Sequence, residues 1–184
     1  MKLVLLRCTN CARPLTPEND DVVFMCTNCF TSVSLNEGGL QSVDVRFALP
    51  PKSDARTKHW LPFWVYEGQV QILKRDTQGR SDREASDRQW AQPLLMYVPA
   101  WEMSMQVAQE VGSRLIEHQP ATEAIERPPT AYMTPAVVTP EEALGLLEFI
   151  VLAIEARRRD WLKALDFRIE TGQPELWTLP AGSF

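Results

Sequence analysis

Four cysteines stand in two copies of one tetrapeptide, Cys8-Thr9-Asn10-Cys11 and Cys26-Thr27-Asn28-Cys29, and these are all the cysteines of the chain. Each Cys-x-x-Cys turn can direct two thiolates at one ion, and two such turns complete the tetrahedron that a closed structural zinc site prefers. The expected cofactor is therefore one structural Zn2+ held by Cys8, Cys11, Cys26 and Cys29. Disulfides, iron and redox chemistry are the alternatives. Disulfides need an oxidising compartment, and the apolar run in Met1–Arg7 is too short for a signal-peptide core. The chain is accordingly placed in the cytosol. A redox Cys-x-x-Cys normally occurs once, beside a helix start, whereas this motif is duplicated within a short N-terminal stretch.

These knuckles resemble the zinc-ribbon group, in which two metal knuckles sit on two β-hairpins. The resemblance covers about residues 5–48. It implies that Cys8, Cys11, Cys26 and Cys29 are the ligands and that Val22–Met25 and Thr31–Leu35 are strands flanking the second knuckle. Many ribbons have glycine just after the second cysteine of a knuckle, and here those positions hold Ala12 and Phe30. Asn10 and Asn28 are expected to supply the left-handed backbone instead. Ribbons serve in nucleic-acid machines, enzymes and assembly factors, so the resemblance implies a metal and not a particular activity.

Other chemistry is sparse. His59 and His118 lack a neighbouring motif that supplies a nucleophile or a metal partner. The chain has no phosphate-cradling glycine loop, nucleophile elbow or His-Glu-x-x-His signature, and no catalytic residue is assigned. Candidate anion contacts are Arg80, Arg83, Arg88, Arg157 and Arg158. The net charge is −5, and only Lys52 to Arg88 leans basic, which argues against the basic stripe of a nucleic-acid surface. The arginines at 157–159 also suit a helix C-terminus, where they complement the dipole.

The positioning elements read as α+β: an N-terminal ribbon of β-hairpins over 1–49, then an aromatic-rich α+β domain over 50–184 with a small antiparallel sheet and two main helices. Pro50–Arg56 is the hinge. Alternation over Phe63–Leu73 predicts a strand with Trp64, Tyr66, Val70 and Ile72 on one face and Gly68 at a bulge. Leu94–Val98 is a second strand, and Arg75–Gln89 reads as a long exposed loop between the two. A helix is expected from about Glu102 to His118, stopped by Gln119-Pro120. An extended proline-rich connector follows it. Thr139-Pro140-Glu141-Glu142 is a helix start with a hydroxyl cap, an early proline and carboxylates at the positive end of the dipole. That helix should run to Arg158 or beyond, apolar around much of its circumference, with its second side left to the domain or to a partner chain. Phe167–Glu170 and Glu175–Pro180 read as a strand and a final edge strand or tail, clamped by Trp161 and Trp177. The richest apolar run, Ala143–Ile154, is too short to span a membrane.

Trp60, Trp64, Tyr66, Tyr97 and Trp101 are candidate partner contacts, because these residues combine apolar area with a polar handle; packing in the core is the favoured role. The leading function is a non-catalytic zinc-ribbon protein that acts as a protein-interaction or complex-assembly subunit, with another protein as partner. A nucleic-acid-binding accessory protein is second, and an enzyme third.

Overall fold

A computed structural model describes residues 6–36, 38–79 and 82–184. The chain is α+β, with three helices among the described residues and two sheets. Strands β1 (Val23–Met25), β2 (Ser32–Asn36) and β3 (Gly39–Ser42) form an antiparallel N-terminal sheet. The second sheet is larger than the sequence suggests and is mixed. Its main path runs β6-β5-β10-β4-β7, where β4 is Val45–Leu49, β5 is His59–Gln78, β6 is Leu94–Pro99, β7 is Glu123–Ile125 and β10 is Glu175–Pro180. Short β8 (Tyr132–Met133) and long β9 (Trp161–Thr171) also pair with β5. The β4–β10 and β5–β8 pairs are parallel, which corrects the expectation of an all-antiparallel sheet.

β5 organises the domain. Its alternation places Trp64, Tyr66, Val70 and Ile72 on one face, as expected, within the main core beneath α3 (Pro140–Ala156). Phe63 and Val65 point to the opposite face, where Tyr97, Trp177, Leu179 and Leu115 of α2 (Met105–His118) cover them. Both faces are therefore buried through the middle of the strand. Gly68 is not a bulge. A Cβ there would lie 2.7 Å from the Glu170 carbonyl oxygen, so the residue serves close approach of β9. The irregularities fall between Ile72 and Lys74 and between Asp76 and Thr77.

The expected loop over Arg75–Gln89 is absent. β5 continues to Gln78, and Arg83–Gln89 forms the short helix α1. The strand extends because Phe167 and Ile169 of β9 pair opposite Ile72 and Val70, burying apolar area along both strands. The C-terminal strand is likewise interior rather than at an edge, since β10 pairs with β5 on one side and β4 on the other. Trp177 packs edge-on against Tyr97 at 5.9 Å with the Arg46 guanidinium 4.7 Å above its ring. Trp161 is 74% exposed and clamps nothing; Phe184, 5.3 Å from Phe63, anchors the tail instead.

The helix signals hold well. Thr139 and Glu142 form a reciprocal capping box, with Thr139 Oγ1 accepting from Glu142 N at 3.2 Å and Glu142 Oε2 from Thr139 N at 2.9 Å. α3 stops at Ala156, two residues short of the expected end. α2 is capped by Ser104 and ends on Gln119 in the left-handed region. Gln119 then exchanges side-chain hydrogen bonds with Leu95 N and O, closing part of the β6 edge. Gly112 lets the two helices meet: a Cβ there would stand 2.6 Å from Ile150 Cδ1. No helix of the described residues is long and apolar enough to cross a membrane.

The N-terminal sheet is bonded to the rest. Val22 N and Val23 N donate to Ala136 O at 2.7 and 3.1 Å, and Ala136 N donates to Val23 O at 2.7 Å. Val23 and Met25 are buried in the main core. β4, placed with the ribbon by the sequence boundary at residue 49, pairs inside the large sheet.

Candidate metal centre

The two knuckles have the same backbone. Ala12 N donates to Cys8 O at 3.0 Å and Cys8 N to Arg13 O at 2.9 Å; Phe30 N donates to Cys26 O at 2.9 Å and Cys26 N to Thr31 O at 2.9 Å. The left-handed residues are Ala12 (φ 58) and Phe30 (φ 61), one place after the second cysteine of each copy. Asn10 and Asn28 do not take that role, which corrects the expectation from sequence. A Cβ in this region costs about 1–2 kcal/mol. Phe30 gains something in return, because the Arg127 guanidinium lies 4.2 Å over its ring while hydrogen-bonding to Pro128 O and Ala131 O of the connector. Ala12 has no such contact. Ala12→Gly is expected to raise the unfolding free energy by up to about 1 kcal/mol with metal stoichiometry unchanged, as read from chemical denaturation.

All four sulfurs lie within 4.8 Å of one another. Cys8 Sγ and Cys29 Sγ are 3.5 Å apart, and Cys11 Sγ and Cys26 Sγ 3.7 Å. A disulfide needs about 2.05 Å. Four sulfurs at about 2.3 Å from a tetrahedral ion stand about 3.8 Å apart, close to these separations. Both of these contacts run between knuckles, which draws the two motifs into one cluster. The four cysteines are positioned to bind one metal ion.

The surroundings support this donor set. Cys8 and Cys26 are buried beside Leu15, Phe24 and Val33, and Cys11 and Cys29 are half-buried. Burial pushes the Cys8 thiol up to about 11, whereas hydrogen bonding from the Thr31 hydroxyl and amide pulls Cys29 down to about 6. Burial thus disfavours charge on Cys8, while the Thr31 hydrogen bonds favour it on Cys29. Asn10 Nδ2 donates to Thr31 Oγ1 at 3.1 Å, and Thr31 Oγ1 lies 3.3 Å from Cys29 Sγ. The first knuckle thus orients a group that touches a sulfur of the second, as outer-shell partners of metal ligands commonly do.

Compared with known proteins, the chain matches no family model, no curated protein and no solved structure.

The other sequence-predicted site residues do not gather around the cysteines. Trp60, Trp64, Tyr66 and Tyr97 are buried and Trp101 is half-buried, in keeping with the core packing favoured from sequence. Three of the polar handles are used internally: Trp60 Nε1 donates to Thr57 O, Trp64 Nε1 to Val138 O and the Tyr66 hydroxyl to Pro140 O. Arg80 lies outside the described residues. Arg83 and Arg88 stand 3.8 and 3.9 Å from Asp87 and Glu84 on their own helix, and Arg157 3.3 Å from Glu117.

Arg158 belongs to a buried charge network that sequence reasoning missed. Arg75 donates through Nε to Glu155 Oε2 at 2.7 Å and through both terminal nitrogens to the Asp160 carboxylate at 2.5 and 2.7 Å. Trp90 Nε1 and Arg158 Nε donate to Glu155 Oε1, each at 2.8 Å, and Asp82 N donates to Asp160 Oδ2 at 2.9 Å. The Arg75 hydrogen bonds hold the Asp160 carboxyl well below the usual range. Burial pushes Glu155 up, but hydrogen bonds from Arg158, Arg75 and Trp90 outweigh it and leave its carboxyl lowered. Both folded-state pKa values are depressed, so the network's stabilisation is present above the ordinary values of 3.8 and 4.5 and fades as pH falls through the folded ones. The Asp160 carboxyl carbon is expected to keep its ionised chemical shift at a pH where exposed carboxylates have protonated, a result checked by a 13C titration.

Proposed function

We propose that the chain is a cytoplasmic zinc-ribbon protein that acts without catalysis, as an interaction or assembly subunit for another protein. The observation that carries the reading is the closed donor set: four sulfurs from two matched knuckles leave no coordination position for a substrate water. Zinc is favoured over iron by the resemblance of the two hairpin knuckles to zinc ribbons. A cytosolic setting keeps such thiolates reduced. The interaction role is supported by α3, which turns Leu144, Phe149 and Leu152 to solvent although its opposite side fills the core. Three large apolar side chains on one exposed helical face mark a surface that gains from being covered.

Affinity purification of the tagged protein with and without nuclease tests the reading. The expected result is a stoichiometric protein partner that survives nuclease and is lost in Phe149→Glu while zinc content stays at one per chain. Partners that vanish on nuclease treatment would move the protein to the nucleic-acid class instead.

A further inference from the structure

Past Gly68, β5 and β9 continue as a two-stranded arm whose one face still packs on the main core through Val70, Ile72, Phe167 and Ile169. The outer edge of β5 there faces α1, with Asp87, Trp90 and Ala91 lining a cavity of about 430 Å3 together with Gln69–Ile72. β9 pairs with β5 on one edge, and among the described residues no strand pairs with the other. A free edge of this length is a template for another strand.

The occupant can be argued from the register. Gly172 N donates to Glu67 O at 2.9 Å, and the ladder continues through Gly68↔Thr171, Val70↔Ile169 and Ile72↔Phe167. Hydrogen-bonded and non-hydrogen-bonded pairs alternate in an antiparallel ladder. Ile169 and Phe167 are therefore non-bonded towards β5 and direct their N–H and C=O outward. β9 contributes no extra residue between Phe167 and Leu165, so Leu165 does the same. An antiparallel partner must meet these residues with its own outward-directed ones.

We propose that the partner strand is β9 of a second copy, in an isologous antiparallel pairing centred on Phe167. In that register Phe167 faces Phe167 of the second copy, Leu165 faces Ile169, and Asp166 faces Arg168 twice, once on each side of the two-fold axis. Shifting by two residues in either direction sets Asp166 against Asp166 or Arg168 against Arg168, so charge disfavours the two neighbouring registers. Arg168 is free to change partners, because its present contact is a 3.5 Å pair with Glu170 in which both side chains are 69% exposed. The apolar side has room as well. Leu165 lies opposite Arg75, on the α3 side of the arm, and with Leu152 and Leu162 lines an open groove of about 650 Å3 towards which Ile169 of the second copy would point.

Sedimentation equilibrium of the full chain and of two variants tests the pairing. Wild type is expected to be a dimer of the 20.9 kDa chain. Arg168→Asp and Asp166→Arg each place like charges opposite one another twice and should raise the dimer dissociation constant at least about tenfold. An equimolar mixture of the two variants restores opposite charges at both positions and should dimerise like wild type, which a merely misfolded variant could not do. A monomeric wild type up to about 0.1 mM would overturn the proposal. So would Arg168→Asp dimerising undiminished, or a mixture of the two folded variants that stays monomeric.

Discussion

Cys26→Ser is expected to release the metal and unfold the N-terminal sheet. Cys26 is one of the four clustered thiols and is buried, so the change removes a sulfur donor and leaves a hydroxyl in its place, while the backbone bond from its amide to Thr31 O is kept. Structural zinc supplies on the order of 10–16 kcal/mol of apparent binding free energy to small zinc domains, most of it realised as folding. Three thiolates and a hydroxyl retain little of that. The damage should spread, because Val23 and Met25 are part of the main core and Val23 shares backbone hydrogen bonds with Ala136. Elemental analysis should show metal falling from one per chain towards none. Thermal unfolding should move down by well over ten degrees, the shift that a loss of several kcal/mol gives a domain of this size. Unchanged stoichiometry and unchanged melting would contradict the four-cysteine assignment.

Arg75→Met should cost about 3–5 kcal/mol, the usual penalty for removing one partner of a buried ion pair. Glu155 and Asp160 have no exposed side-chain surface, and Arg75 supplies three of their hydrogen bonds. Its loss strands the Asp160 carboxylate and leaves Glu155 to Arg158 and Trp90 alone, where α3, the start of β9 and the segment before α1 converge. That is a large share of the roughly 5–15 kcal/mol by which domains are stable. Arg75→Lys should recover little, because a point ammonium cannot reproduce the fork that bridges two carboxylates. Neutralising the carboxylates as well, in Arg75→Met/Glu155→Gln/Asp160→Asn, should recover a substantial part, since the uncompensated charge is the main cost. Urea unfolding with an unchanged slope reads each of these directly.

What was legible in the sequence was local. The four clustered cysteines lie within two tetrapeptides, and the α3 start lies within Thr139–Glu142, so both could be read from neighbouring residues. The core face of β5 was legible through its alternation. The far end of β5 was not. Arg75 and Asp76 read as the start of an exposed loop, and the carboxylates that bury Arg75 stand 80 and 85 residues further on. β10 was misread as an edge because it closes the chain, yet the near-continuous burial of Leu176 to Pro180 marks a strand covered on both faces. In the knuckles, the gathering of the four cysteines was readable but backbone conformation was not. Asparagine tolerates the left-handed region better than alanine or phenylalanine, and the turn geometry overrode that preference at Ala12 and Phe30.

X-ray absorption at the zinc edge of the protein purified from cells tests the central claim most directly. A closed structural site predicts one zinc per chain with four sulfur neighbours at about 2.3 Å and no oxygen or nitrogen neighbour. A shell mixing sulfur with an oxygen at about 2.0 Å would contradict it, because an open position would return the site to catalysis.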